Sequence, residues 1–407
     1  MRKSLRISIT SLAVLIGFLA NSQDSGFMYG TVTTIDDDAY TGAIRWGKEE
    51  VYWTDMFNAS KEKNENIKYM DDDALDQLED QKKGFWGDND SWWGDWSDND
   101  YIHQFACQFG EISMIEITGR SKADVTMQNG LTVEVNGSGY NDIGTSIKIF
   151  DSELGIVSLD WDRVETIKFM KTPSKLKEKF GEPLFGKVET SEGTFEGYVQ
   201  WDHDERVSED KLDGDTEDGD LSIKFGNIES IERFGSSRSE VVLKSGRTLV
   251  LRGSNDVNDG NRGIIVTVEG LGRVDVPWDE FDKVTFSEVK SSGPEYQSFE
   301  SQNPLKAKVL DTNGKTYEGL LSFDLDEQYD FEILHGMLED IEVMIPFRNI
   351  KEFEPRNYEY ASVLLKNGKK MVLGESQDVS DKNTGMLVKS GNDYQYITYK
   401  DVEKIIF

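Results

Sequence analysis

Apolar and polar residues alternate in short runs along most of this chain. "GKVET" (186–190), "TFEGYVQW" (194–201), "SEVVLKSG" (239–246), "RTLVLRG" (247–253) and "GIIVTVEG" (263–270) are rich in Val, Ile and Thr. A period of two with that composition predicts short, half-buried β-strands. Gly, Asn and Asp punctuate the runs, as in "DTNGK" (311–315) and "LKNGKK" (365–370), and mark tight turns. Proline avoids the runs and stands at unit starts, at Pro183 and Pro304.

The pattern recurs. An aromatic precedes a Gly by two residues and another follows it by four: Tyr40/Gly42/Trp46, Phe195/Gly197/Trp201 and Tyr317/Gly319/Phe323. Twenty-eight residues after Gly197 and Gly319 comes an aromatic-x-x-Ile-x-x-apolar signature, at Phe225/Ile228/Ile231 and Phe347/Ile350/Phe353. The first copy carries it 39 residues later, at Phe109/Ile112/Ile115. A turn Gly follows 21 residues on, at Gly130, Gly246 and Gly368. A second closing signature begins 31 or 32 residues beyond, at Trp161, Trp278 and Tyr399. Constant spacing with variation confined to loops predicts three tandem repeats over 26–169, 184–286 and 305–407, each of two halves. The mid-strand Gly42, Gly197 and Gly319 are expected at sharp bends or close backbone approaches. The closing signature predicts one helical turn leading into a last strand.

Each half places a bent, Gly-containing second strand, further strands, a short turn and a final strand in that order. This resembles the small five-stranded barrels of the SH3-like and Sm-like class, most visibly over 188–234. The resemblance implies an all-β fold of six such barrels, two per repeat. The RNA-binding Arg-Gly pair of the Sm family is missing here, where the chain reads "FGNIESI" or "FRNIKEF". RNA binding is therefore not carried over.

The delay in the first repeat predicts an insertion at about 54–100. It contains a candidate short helix, "DDDALDQLEDQKK" (71–83), whose acidic start suits the positive end of a helix dipole. "GFWGDNDSWWGDWSDNDY" (84–101) follows, setting Trp86, Trp92, Trp93 and Trp96 among five Asp residues. Exposed rings beside carboxylates suit a sugar or a partner protein. The first 22 residues read as an export signal: Arg2, Lys3 and Arg6, then a mostly apolar run over 7–20, then small residues. No other segment is apolar enough to span a membrane.

Formal net charge is −32, which disfavours nucleic acid and anionic membranes. The single cysteine, Cys107, allows no internal disulfide and is expected in the core. The three histidines, His103, His203 and His335, occupy non-equivalent places without a nucleophile–base motif. "SNDVNDGN" (254–261) and "SQDVSDKN" (376–383) align, so Asp256, Asp259 and Asn261 with Asp378, Asp381 and Asn383 are candidate calcium ligands. Asx turns account for the same residues without a metal. The linker "KTPSKLKEKFGEP" is the basic stretch of the chain, and "SSGPEYQSFESQNP" reads as a polar tether.

The expectation is an exported protein, periplasmic, cell-surface or secreted, acting as a non-enzymatic binding or structural scaffold module for an extracytoplasmic protein or glycan. Two alternatives stand beside it. One is a carbohydrate-active or other hydrolytic enzyme using carboxylates near the Trp-rich insertion; the other is a calcium-stiffened structural repeat protein.

Overall fold

A computed structural model describes residues 24–64, 66–70, 72–76, 78, 104–289 and 291–407. The fold is all-β and antiparallel, with one ten-stranded and one twenty-stranded sheet. The ten strands of the first sheet are β1 (Tyr29–Thr34), β2 (Ala39–Trp46), β3 (Met56–Lys61), β4 (Gln104–Gln108), β5 (Ile112–Gly119), β6 (Lys122–Met127), β7 (Thr132–Asn136), β8 (Ile147–Asp151), β9 (Gly155–Leu159) and β10 (Val164–Phe169). They pair in the order β4-β3-β7-β6-β5-β10-β1-β2-β8-β9.

The strands from β11 (Phe185–Thr190) to β20 (Phe281–Phe286) pair in the same order. So do those from β21 (Lys306–Asp311) to β30 (Val402–Ile406). These last two units merge because β19 (Gly272–Val276) pairs with β24 (Ile341–Pro346).

The expected closed barrels are corrected by this topology: both sheets are open. The two halves of a unit do not fold side by side either. They exchange strands. β1 and β2 from the first half lie between β10 and β8 from the second, while β6 and β7 from the second half lie between β5 and β3 from the first. Each group of five thus takes two strands from one half and three from the other. The mid-strand glycines sit where the exchange is tightest. A Cβ on Gly42 would lie 2.0 Å from the Phe150 carbonyl oxygen of β8. On Gly197 it would lie 2.1 Å from that of Thr267, and on Gly319 2.0 Å from that of Lys389.

The closing signatures form 3-10 turns at Phe109–Glu111, Trp161–Arg163, Phe225–Asn227, Phe347–Asn349 and Tyr399–Asp401, each running straight into a strand. At Trp278 the chain makes a hydrogen-bonded turn from Pro277 instead. Their rings fill the cores. Trp46 packs on Phe57, Phe109 and Trp161; Trp201 packs on Phe225, Trp278 and Phe281; Phe323 packs on Phe347 and Phe353, which meets Tyr399. Cys107 is buried in the first of these cores, where burial pushes its thiol up.

Two further expectations are corrected, and the basic linker is placed. β3 lies within the expected insertion but matches β13 (Lys211–Thr216) in pairing, so the insertion occupies 62–103. The tether expected near residue 300 is packed instead. Tyr296 and Phe299 join the first core, and Phe299 lies where a side chain on Gly110 would be. In the basic linker, Leu176 is buried beside Phe27 and Val207. Lys179 meets Asp24 at 2.7 Å and Lys171 meets Glu295 at 3.6 Å. Among the described residues no helix is long and apolar enough to cross a membrane.

The three units touch pairwise. The first and second meet through Arg45–Asp210 at 2.7 Å and Arg206–Asp55 at 2.6 Å. The first and third meet through Lys61, bonded to Asp326 and Glu332, and through Arg348–Glu111 at 3.0 Å. The second and third share the β19–β24 pairing.

Candidate functional site

The strand that carries each aromatic–Gly–aromatic mark ends in a hairpin. Trp46 bridges to Glu50, Trp201 to Glu205 and Phe323 to Glu327. Left-handed backbone turns the chain: Gly47 in the first unit, Asp202 and His203 in the second, Asp324 and Leu325 in the third. Asp tolerates this conformation better than most residues. The turn folds the Glu back over the core, next to a second loop that supplies Asp142, Asp256 or Asp378.

The carboxylate of that Asp is held the same way in each unit. It accepts the main-chain N–H of Asn58, Asp213 or His335 at 2.6 Å. The indole N–H of Trp46 or Trp201 donates to the Asp142 or Asp256 carbonyl at 2.9 Å. Phe323 has no N–H, and the Asn383 amide donates to the Asp378 carbonyl instead, at 3.1 Å. In the second unit, where the indole occupies that carbonyl, Asn261 Nδ2 has no hydrogen-bond partner.

The result is a pair of inward carboxyls per unit. Burial first, and then neighbouring carboxylates such as Asp142, pushes Glu50 well above its ordinary value. Burial likewise raises Glu327 strongly and Glu205 to about 9. Asp142 and Asp378 rise to about 7 and Asp256 to about 6, again chiefly through desolvation. The same oxygen, Oε2 of Glu50, Glu205 and Glu327, is buried without a hydrogen-bond partner in all three. One oxygen from each of Glu49, Glu50 and Asp142 lies within 4.8 Å of the others, as for Asp202, Glu205 and Asp256.

Beside the first trio lies a polar cavity of about 140 Å³ at the seam with the second unit, lined also by Thr54, Asn58, Arg262 and Arg273. Of the guanidiniums lining it, Arg273 bonds Asp275 at 2.8 Å while its buried Nε has no partner, and Arg262 bonds Asp204 at 2.6 Å and meets Asp202 at 3.5 Å.

The expected calcium ligands separate in space. Asp256 and Asp378 turn inward as above, and Asn261 and Asn383 cap the N–H groups of Gly263 and Gly385 at 2.9 and 2.8 Å. Asp259 and Asp381 are exposed. Asp142 escaped the sequence comparison although it shares a signal with the other two: Asn141-Asp142-Ile143, Asn255-Asp256-Val257 and Gln377-Asp378-Val379. Of the histidines, His203 meets Asp275 at 2.9 Å, and burial lowers His335 to about 4. His103 lies outside the described residues.

Trp86, Trp92, Trp93 and Trp96 also lie outside the described residues, as does the expected export signal. The stem of their insertion is fixed. Asn64 and Asn66 donate to the Leu325 carbonyl, and Tyr69 stacks on Tyr394 at 4.5 Å. The described residues of 72–78 are helical, and Ala74 and Leu78 pack with Leu325 and Leu387 of the third unit.

Comparison with protein families, with characterised proteins and with solved structures found no match to this chain.

Proposed function

We propose that this chain is an exported, non-enzymatic scaffold that presents its Trp- and Asp-rich segment, 84–101, to an extracytoplasmic protein or glycan. One observation carries the reading: the stem of that segment is clamped to a different unit of the same chain. Lys61 at the end of β3 bonds Asp326 and Glu332 at 2.7 and 2.8 Å, and the chain then runs across Leu325 and Tyr394. A binding segment on a fixed base loses less freedom on association than one on a loose tether. The repeated five-strand groups, read as open relatives of the SH3-like class, serve as the rigid base. Their aromatic repeat marks are committed to packing.

Replacing 84–101 by a short Gly/Asp turn tests this. Pull-down from an extracytoplasmic extract and a glycan array are each probed with the full chain and the shortened one. Capture by the full chain is expected to fall at least tenfold on shortening while the melting temperature stays the same. Equal capture by both proteins would end the proposal.

A further inference from the structure

The structure carries a second kind of site, away from the Trp-rich segment. We propose that Glu49, Glu50 and Asp142 bind a hard divalent cation of the calcium class. Three carboxylate oxygens within 4.8 Å of one another form an all-oxygen donor set, which suits calcium and not a thiolate- or imidazole-seeking metal.

An acidic cluster alone would be unremarkable in so acidic a chain. What points to a ligand is Glu50. It is only 9% exposed, and its Oε2 is buried without a hydrogen-bond partner while sharing the cluster with Asp142. A buried carboxylate oxygen without a partner is costly, and proteins rarely leave one. In the second unit Glu205 is only partly buried, and Asp202 beside it already meets the Arg262 guanidinium at 3.5 Å, so that cluster carries its own cation.

Among the described residues no ion pair reaches Glu49, Glu50 or Asp142, since Arg273 is bonded to Asp275 and Arg262 to Asp204. The adjoining cavity of about 140 Å³ has space for roughly four waters, enough to complete a calcium coordination shell. Asp142 is held in place by the Asn58 main-chain N–H at 2.6 Å. Such anchoring pre-positions that donor.

The third unit is an internal control. Its Glu327 and Asp378 keep the pair, but among the described residues no third carboxylate completes a cluster with them, and Lys61 bonds Asp326 and Glu332 instead.

The test is calorimetric titration of calcium chloride into the chelator-stripped full chain at neutral pH, with magnesium chloride as a second probe. One calcium site is expected. Glu50→Gln should remove it, and Glu205→Gln and Glu327→Gln should leave it in place. Gln keeps the size of a protonated Glu, and near-ultraviolet circular dichroism verifies that each variant folds. Calcium should also raise the melting temperature of the full chain and not that of the Glu50→Gln variant. Absence of binding at about 5 mM calcium, above the usual range for extracellular modules, would overturn the proposal. So would stoichiometry indifferent to Glu50. A melting temperature unmoved by calcium but rising from pH 8 to pH 5 would assign the pair to a shared proton instead, and would also overturn it.

Discussion

Gly197→Ala is expected to destabilise the chain by more than about 3 kcal/mol, a large fraction of the ~5–15 kcal/mol that holds a typical domain together. The new methyl would lie 2.1 Å from the Thr267 carbonyl oxygen and 2.8 Å from its carbon, and both are backbone atoms of a paired strand. No rotamer change relieves that overlap. β12 (Gly193–Trp201) would have to leave β18 (Ile264–Val268), opening the core over Trp201. Gly246→Ala is the contrasting control. That glycine has φ +84° and open space around it, so alanine there meets only the conformational cost of left-handed backbone, about 1–2 kcal/mol. Urea denaturation of the two variants should separate the effects. Equal midpoints would mean that the close approach does not constrain the strand.

The second large effect is expected at the seam of the first two units. Arg206 is fully buried, bonds Asp55 at 2.6 Å and lies over the Tyr52 ring at 4.9 Å. Its Nε and Nη1 have no hydrogen-bond partner, so the pair is not an optimised source of stability. Breaking it is another matter. Arg206→Ala leaves the buried Asp55 carboxylate without its ion-pair partner and should cost about 3–5 kcal/mol. The Val51 and Tyr52 N–H groups still bond its other oxygen at 2.8 Å. Replacing both partners, as Arg206→Met with Asp55→Asn, should recover about half of that loss, because Asn keeps an acceptor for those groups. Denaturation midpoints of the single and double variants measure this coupling. A double variant no better than Arg206→Ala would assign the effect to lost packing instead of a stranded charge.

Much of the strand content was legible because alternation with period two shows which face of a strand is buried. The marks at Trp46, Trp201, Phe323, Trp161, Trp278 and Tyr399 stood out by spacing, and all six are core residues. Alternation does not say which strand lies alongside. The two halves of a unit are alike, so closure within a half and exchange between halves satisfy the same pattern. The deciding contact, Gly42 against Phe150, joins residues more than a hundred positions apart. Tyr296 and Phe299 were hidden by the Ser and Gln around them. The carboxyl pairs were obscured for a different reason: with 77 acidic residues, paired carboxylates carry little contrast. Glu50, Glu205 and Glu327 each stand four residues after a repeat mark, at Trp46, Trp201 and Phe323, yet an acidic residue there does not stand out. Arg206 and Lys61 had no repeat signal, because each serves one junction once.

Strand exchange is tested most directly by a crosslink between the halves of the second unit. Asp215 on β13 faces Arg252 on β17 (Thr248–Arg252), although one belongs to the first half and the other to the second. Paired antiparallel positions bring Cα atoms to about 4.5–5.5 Å, within reach of a disulfide. With cysteines at both positions and Cys107 buried, mild oxidation of the native chain should give one intramolecular crosslink joining the two peptides by mass spectrometry. A protein that keeps its native β spectrum and melting temperature yet leaves both thiols free would contradict the exchange.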